Sequence, residues 1–263
     1  MNLRGARALI SRTWMRNLSG WGFEWMLAFG HLIETLVYMF VWVTIARQKS
    51  LPGIERDELV VYYLIMMVLH EITYPGAHYS IGAAIRSGGF STWLLRPLSP
   101  IFSVIASDLA DKAISVSFTL LTTFILGLVL QPAIHFTFAN LLLFLLAAAL
   151  AYFLRFLQAY MLALLAFWTE RADAFLKLSD TLLFIFAGQV APFALLPHGL
   201  QVIAAILPYR YMLGFPVEVL QGQLSPAQLG QGFLMLLAWI GLSLLVHQVI
   251  WKRGLRRYSA VGG

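Results

Sequence analysis

The chain is built from apolar runs too long for a soluble core to hide. Six of them, at 24–46, 58–74, 101–130, 139–168, 175–196 and 229–251, approach or exceed the roughly 20 residues that an α-helix needs to cross about 30 Å of hydrocarbon. Charged residues make up 11% of the 263, against roughly a quarter in an ordinary soluble domain. A bilayer offers the backbone no water, so such runs satisfy their own hydrogen bonds as helices. The expectation is an all-α integral membrane protein: one domain over 1–263 with six transmembrane helices. Ser99-Pro100 and Ser225-Pro226 mark two of the starts, a serine cap followed by proline at the first helical position.

The net charge of +6 does not point to nucleic acid, because the basic residues gather at the ends of the apolar runs. Arg4, Arg7, Arg12, Arg16, Arg86, Arg96, Lys112, Arg171, Lys177, Lys252, Arg253, Arg256 and Arg257 fall on one side, and Arg47, Lys49, Arg56 and Arg210 on the other. Thirteen against four is a positive-inside signal that places both termini in the cytoplasm. The first run lacks a small-x-small cleavage pattern, so no removable leader is expected.

Residues 1–23 read as an amphipathic helix lying in the membrane interface. Leu3, Ala6, Ile10, Trp14, Leu18 and Trp21 share a face, and Arg4, Arg12 and Arg16 point elsewhere. Between the fifth and sixth runs, 192–228 contains prolines 192, 197, 208, 216 and 226 yet stays apolar. Its pieces are too short to cross, and they read as re-entrant or interfacial helices at the outer end of the bundle. The long third run carries Asp108, Asp111 and Lys112 near its start, which is expected to project into the cytoplasm or interface.

Several chemistries are excluded by what the chain lacks. With no cysteine there is no disulfide, thiolate nucleophile or thiolate metal site. None of the lysines follows a glycine, so there is no P-loop to hold ATP. Neither His-Glu-x-x-His nor Gly-x-Ser-x-Gly occurs. His70-Glu71 makes a poor catalytic pair, since neighbours on a helix diverge by about 100°.

Ionisable residues inside spans carry more meaning, because an arginine at the bilayer centre costs about 2.5–3.5 kcal/mol on insertion scales. Glu34 lies mid-way along the first run with His31 one turn before it; Arg155 lies in the fourth, flanked by Tyr152 and Gln158. These five residues form either a Glu34–Arg155 pair that ties two spans together or a polar route across the membrane.

The segment 75–100 has its own logic. A short helix over Tyr79–Arg86, with Ile81 and Ile85 on it, is followed by a Gly88-Gly89 turn. Phe90, Trp93, Leu94 and Leu95 then anchor the chain in the interface before Arg96-Pro97 redirects it. A knob of this kind passes a soluble partner's movement to the spans on either side.

Ser87-Gly-Gly-Phe-x-x-x-Leu-Leu-Arg-Pro-Leu-Ser-Pro100, the basic amphipathic start, the six-run layout and Leu207-Pro-Tyr-Arg-Tyr211 with Phe215-Pro-Val-Glu-Val-Leu-Gln-Gly222 together resemble the permease subunits of type-2 (ABC-2) exporters. The likeness covers essentially the whole chain. Many such permeases carry Glu before the first Gly of this motif; this chain has Arg86-Ser87 and is similar to a half-size branch that works as unlike pairs. The resemblance implies a second permease subunit, unlike or identical, and two ABC ATPase subunits that hold ATP and Mg. This chain itself is expected to need no cofactor and no metal. It implies coupling to the ATPase through Tyr79, Ile81, Ile85, Arg86, Phe90 and Arg96, and residence in a bacterial-type inner membrane. It further implies export of a hydrophobic or amphiphilic, drug-like or lipid-like substrate, in keeping with the aromatic stretch Phe184–Phe193. Two other readings stay open: a secondary transporter or channel with Glu34 and Arg155 on its pathway, and a membrane enzyme or scaffold.

Overall fold

The structure is a computed structural model that describes residues 21–48, 54–76, 78–96, 99–134 and 136–258, and every regular element among them is helical. In chain order these are α1 (Trp21–Gln48), α2 (Arg56–Thr73), α3 (His78–Arg86), α4 (Phe90–Leu94), α5 (Pro100–Leu130), α6 (Phe138–Leu164), α7 (Ala172–Phe186), α8 (His198–Ile206), α9 (Tyr209–Met212), α10 (Gly214–Gln221) and α11 (Pro226–Arg257). Among the described residues five helices are long and apolar enough to cross a membrane: α1, α2 with its continuation, α5, α6 and α11. Of the interfacial helix expected over 1–23, residues 1–20 lie outside the described residues, and 21–23 already belong to α1.

Helix α6 is the hub. It packs against α11, α10, α3, α7 and α2, while α1 lies on α2 and α5. Helix α2 is buried on nearly every side, from Leu59 and Tyr63 to Met66 and Leu69. That all-round apolarity marks a helix enclosed by others. The outer faces of α5 and α11 instead keep Phe124, Val129, Leu234 and Leu245 exposed, as lipid contact requires.

Two of the long helices start with a side-chain cap. Ser225 and Gln228 form a reciprocal capping box on α11, with bonds of 2.9 and 3.3 Å. Thr137 caps α6 through the Asn140 amide at 3.1 Å. Ser99 precedes Pro100 as expected, but its side chain makes no capping bond.

The fifth predicted span is not one helix. Helix α7 stops at Phe186 after 15 residues, about 22 Å at 1.5 Å per residue and short of the hydrocarbon thickness. The chain then turns at Gly188, whose φ of +91° is closed to an ordinary side chain. Three side chains from the neighbouring helices satisfy the carbonyls that this break exposes. Tyr62 donates to the Gly188 carbonyl (2.9 Å), and Trp42 and Tyr63 donate to that of Val190 (2.7 and 3.3 Å). Broken backbone at membrane depth is tolerated on that condition.

Candidate functional site

Two constructions stand out, a braced block at the end of the bundle that carries Arg86, Arg96 and the Lys252–Arg257 tail, and a polar cavity above it. At this basic end α2 terminates before Pro75, with Tyr74 in extended conformation (φ −63°, ψ 118°), as the residue before a proline prefers. The corner is clamped by Asp108 of α5, which accepts from the Gly76 amide (2.8 Å), Lys112 Nζ (2.6 Å) and the Tyr152 hydroxyl (3.0 Å). Lys112 also donates to the Tyr74 carbonyl. Asp108 is 1% exposed, so its charge near the start of the third predicted span is taken up inside the protein. Three donors make the burial of that carboxylate tolerable.

The block beyond the corner is fastened at three points. Arg86 at the end of α3 meets Asp173 of α7 in a two-bond ion pair at 3.2 and 3.0 Å. The Tyr258 hydroxyl donates to the Gly88 carbonyl (2.7 Å) and accepts from the Ser91 amide (3.0 Å), tying the last helix to the turn. Phe90 is fully buried in an aromatic cage of Phe167, Trp251 and Tyr258, with ring centroids 5.8, 6.1 and 5.7 Å away. The residues singled out for coupling therefore divide. Ile81, Ile85 and Phe90 face inward and hold the block from beneath. Tyr79, Leu94, Leu95 and Arg96 are exposed, Leu95 at 87%, and Arg86 is half-buried in its ion pair.

The cavity, about 310 Å³, is lined by His31, Glu34, His70, Tyr74, Arg155, Asp180, Thr181, Leu183, Phe184 and Gln189. It brings together α1, α2, α6 and α7. Arg155 donates to the His70 carbonyl (3.2 Å), the Thr73 hydroxyl (2.9 Å) and His70 Nε2 (3.2 Å). Its guanidinium lies 5.5 Å from the centre of the Tyr74 ring, a cation–π distance. Arg155 thus ties the fourth predicted span to the second. Among the described residues no hydrogen bond or ion pair joins it to Glu34, which is exposed on α1 and shares only the cavity wall. Of the other residues flagged with it, His31 bonds Glu71 at 3.2 Å, Tyr152 is taken up by Asp108, and Gln158 is half-buried one turn further along α6.

His70 bonds Arg155 and Glu71 bonds His31, and the His31 and His70 rings lie 4.9 Å apart. His31, His70 and Glu71 place ligand atoms within 4.8 Å of one another, a spacing that suits a metal ion. Arg155 argues against one. Arginine has donors only, so His70 Nε2 is an unprotonated acceptor already engaged. Sequence reading missed Thr73, Asp180 and Gln189. The only available signal was that each is polar within or beside an apolar run.

At the opposite end Arg210 pairs with Glu218 at 2.7 Å and lies 3.5 Å from the centre of the Phe193 ring. Burial pushes the Glu218 carboxyl above its ordinary range, against the pull of Arg210.

Spanning helices around a polar cavity, with a braced block at one end, define a multi-pass membrane protein of the transport-domain class. A family model described as ABC-2 family transporter protein matches residues 32–262, and the chain belongs to that family. It is accordingly an ABC-type transport permease, a kind of membrane component that works with ABC ATPase subunits. None of the curated proteins compared with the chain matches it.

Proposed function

We propose that this chain is the permease subunit of an ATP-driven exporter for a hydrophobic or amphiphilic substrate, drug-like or lipid-like. ATP and Mg are held by separate nucleotide-binding subunits, and a second, unlike permease completes the pathway. The observation that carries the reading is the braced block at the basic end. It leaves Tyr79, Leu94, Leu95 and Arg96 exposed for a partner, while Phe90, Arg86 and Tyr258 fasten it to α7 and α11. A rigid knob tied to several helices transmits a push; a loose loop absorbs it.

In this reading the basic end is cytoplasmic, both termini lie there, and the membrane is the bacterial-type inner membrane. Helix α7 and the turn at Gly188 make the fifth of six crossings, and the short helices of 192–228 form a re-entrant outer cap. The cavity with His31, Glu34 and Arg155 lies on the substrate route.

The test is co-purification from the native host with a tagged chain. An ATPase subunit should accompany the intact protein and be lost on Leu95→Asp, a change at an exposed position that leaves the fold intact. Full retention of the ATPase after Leu95→Asp and Tyr79→Ala together would show that the partner docks elsewhere.

A further inference from the structure

The cavity between α1, α2, α6 and α7 has an unbalanced charge. Three carboxylates belong to it or back it: Glu34, Glu71 and Asp180. Against them stand Arg155, His31 and His70. His70 is neutral, because a protonated Nε2 could not accept from Arg155. With the three carboxylates ionised and both imidazoles neutral, the formal charge is −2.

The positive groups are partly engaged. Arg155 uses three of its five N–H donors on His70 and Thr73, and His31 is bonded to Glu71. Glu34 and Asp180 have no hydrogen bond or ion pair among the described residues, although both line the cavity. Gln189 is 6% exposed, lines the same cavity and likewise has no hydrogen-bond partner among the described residues. A carboxylate left unpaired at membrane depth is costly and acquires a partner. Leu183 and Phe184 supply an apolar wall beside these groups.

Resting on the permease reading above, we infer that this cavity binds a monovalent organic cation with an apolar body. Glu34 and Asp180 face the charge, Gln189 offers a hydrogen bond, and Leu183 with Phe184 packs the hydrocarbon. Arg155 acts as a positioning residue that holds α6 against α2 and keeps His70 neutral.

Tetraphenylphosphonium and tetraphenylborate test this directly, being nearly identical in shape and opposite in charge. Saturable binding of each is measured on the full chain in nanodiscs, with protein-free discs subtracted. The phosphonium should bind at least about tenfold more tightly than the borate, because like charge facing like charge is strongly disfavoured. Glu34→Gln and Asp180→Asn should each weaken the phosphonium by about tenfold and leave the borate unchanged or improved. Equal affinity for the two ions, no saturable phosphonium binding, or phosphonium binding indifferent to Glu34→Gln would overturn the inference. Glu34 is exposed on α1, so its conservative replacement decides the matter even if the Asp180 variant fails to fold. The permease reading is judged separately, by whether an ATPase subunit accompanies the chain.

Discussion

Phe90 gives the sharpest test of the idea that the basic-end block works by being anchored. Its side chain is wholly buried, with four aromatic rings around it at centroid distances of 5.7 to 6.1 Å. Phe90→Ala removes the plug of that cage, and phenylalanine-to-alanine changes in cores cost about 3–5 kcal/mol. The loss falls where the contacts are, on the turn at Gly88 and its junction with α11, because opening free energies vary across a structure. Taking about 1.4 kcal/mol per tenfold, amide exchange in 78–96 should quicken by roughly 10²- to 4 × 10³-fold. Exchange in the cores of α2 and α6 should change far less. Hydrogen exchange of the protein in micelles, read by mass spectrometry, resolves the two. Phe90→Leu, which refills most of the space, should recover most of the protection. An unchanged exchange rate in 78–96, or equal acceleration in every helix, would refute the claim that Phe90 is the local anchor.

Three further outcomes follow from the same contacts. Arg155→Met should destabilise the bundle by about 1.5–3 kcal/mol, through loss of its charge-assisted bonds to Thr73 and His70. Because Thr73→Val removes one of the same bonds, a double-mutant cycle on thermal unfolding should show the two changes as strongly non-additive. Tyr258→Phe keeps the ring in the cage but deletes bonds to Gly88 and Ser91; about 1–2 kcal/mol of local stability should be lost, seen as faster exchange of the Ser91 amide. Glu218 lies outside the spanning helices, and burial raises its pKa above 4.5, so the folded state binds its proton more tightly than the unfolded state. Its contribution to stability is therefore full below the ordinary carboxylate range and is lost as pH rises through the raised value. Melting measured across that range should show this slope in the native protein and a flatter profile in Glu218→Gln.

Membrane residence and most of the spans were legible from the residues alone, since crossing a bilayer is a one-dimensional requirement of apolarity sustained over a set length. Four of the six predicted runs outside the first stretch of α2 and the fifth run emerge as long single helices, and α2 reaches the required length with its continuation. The fifth failed because its break depends on partners far away in the chain: Gly188 can turn only where Tyr62, Tyr63 and Trp42 take up the freed carbonyls. The same limit governs the polar residues. Glu34 and Arg155 were conspicuous in the sequence because charge is costly in hydrocarbon. Arg155 nevertheless found neutral acceptors 82 and 85 positions away, on Thr73 and His70. Phe90, apolar in a short loop, could be read as an outward knob or an inward plug until the cage of Phe167, Trp251 and Tyr258 closed around it. Length and hydropathy belong to each segment by itself and are written in its residues. The direction a side chain faces, and the group that satisfies it, belong to pairs of segments, and only their packing decides them.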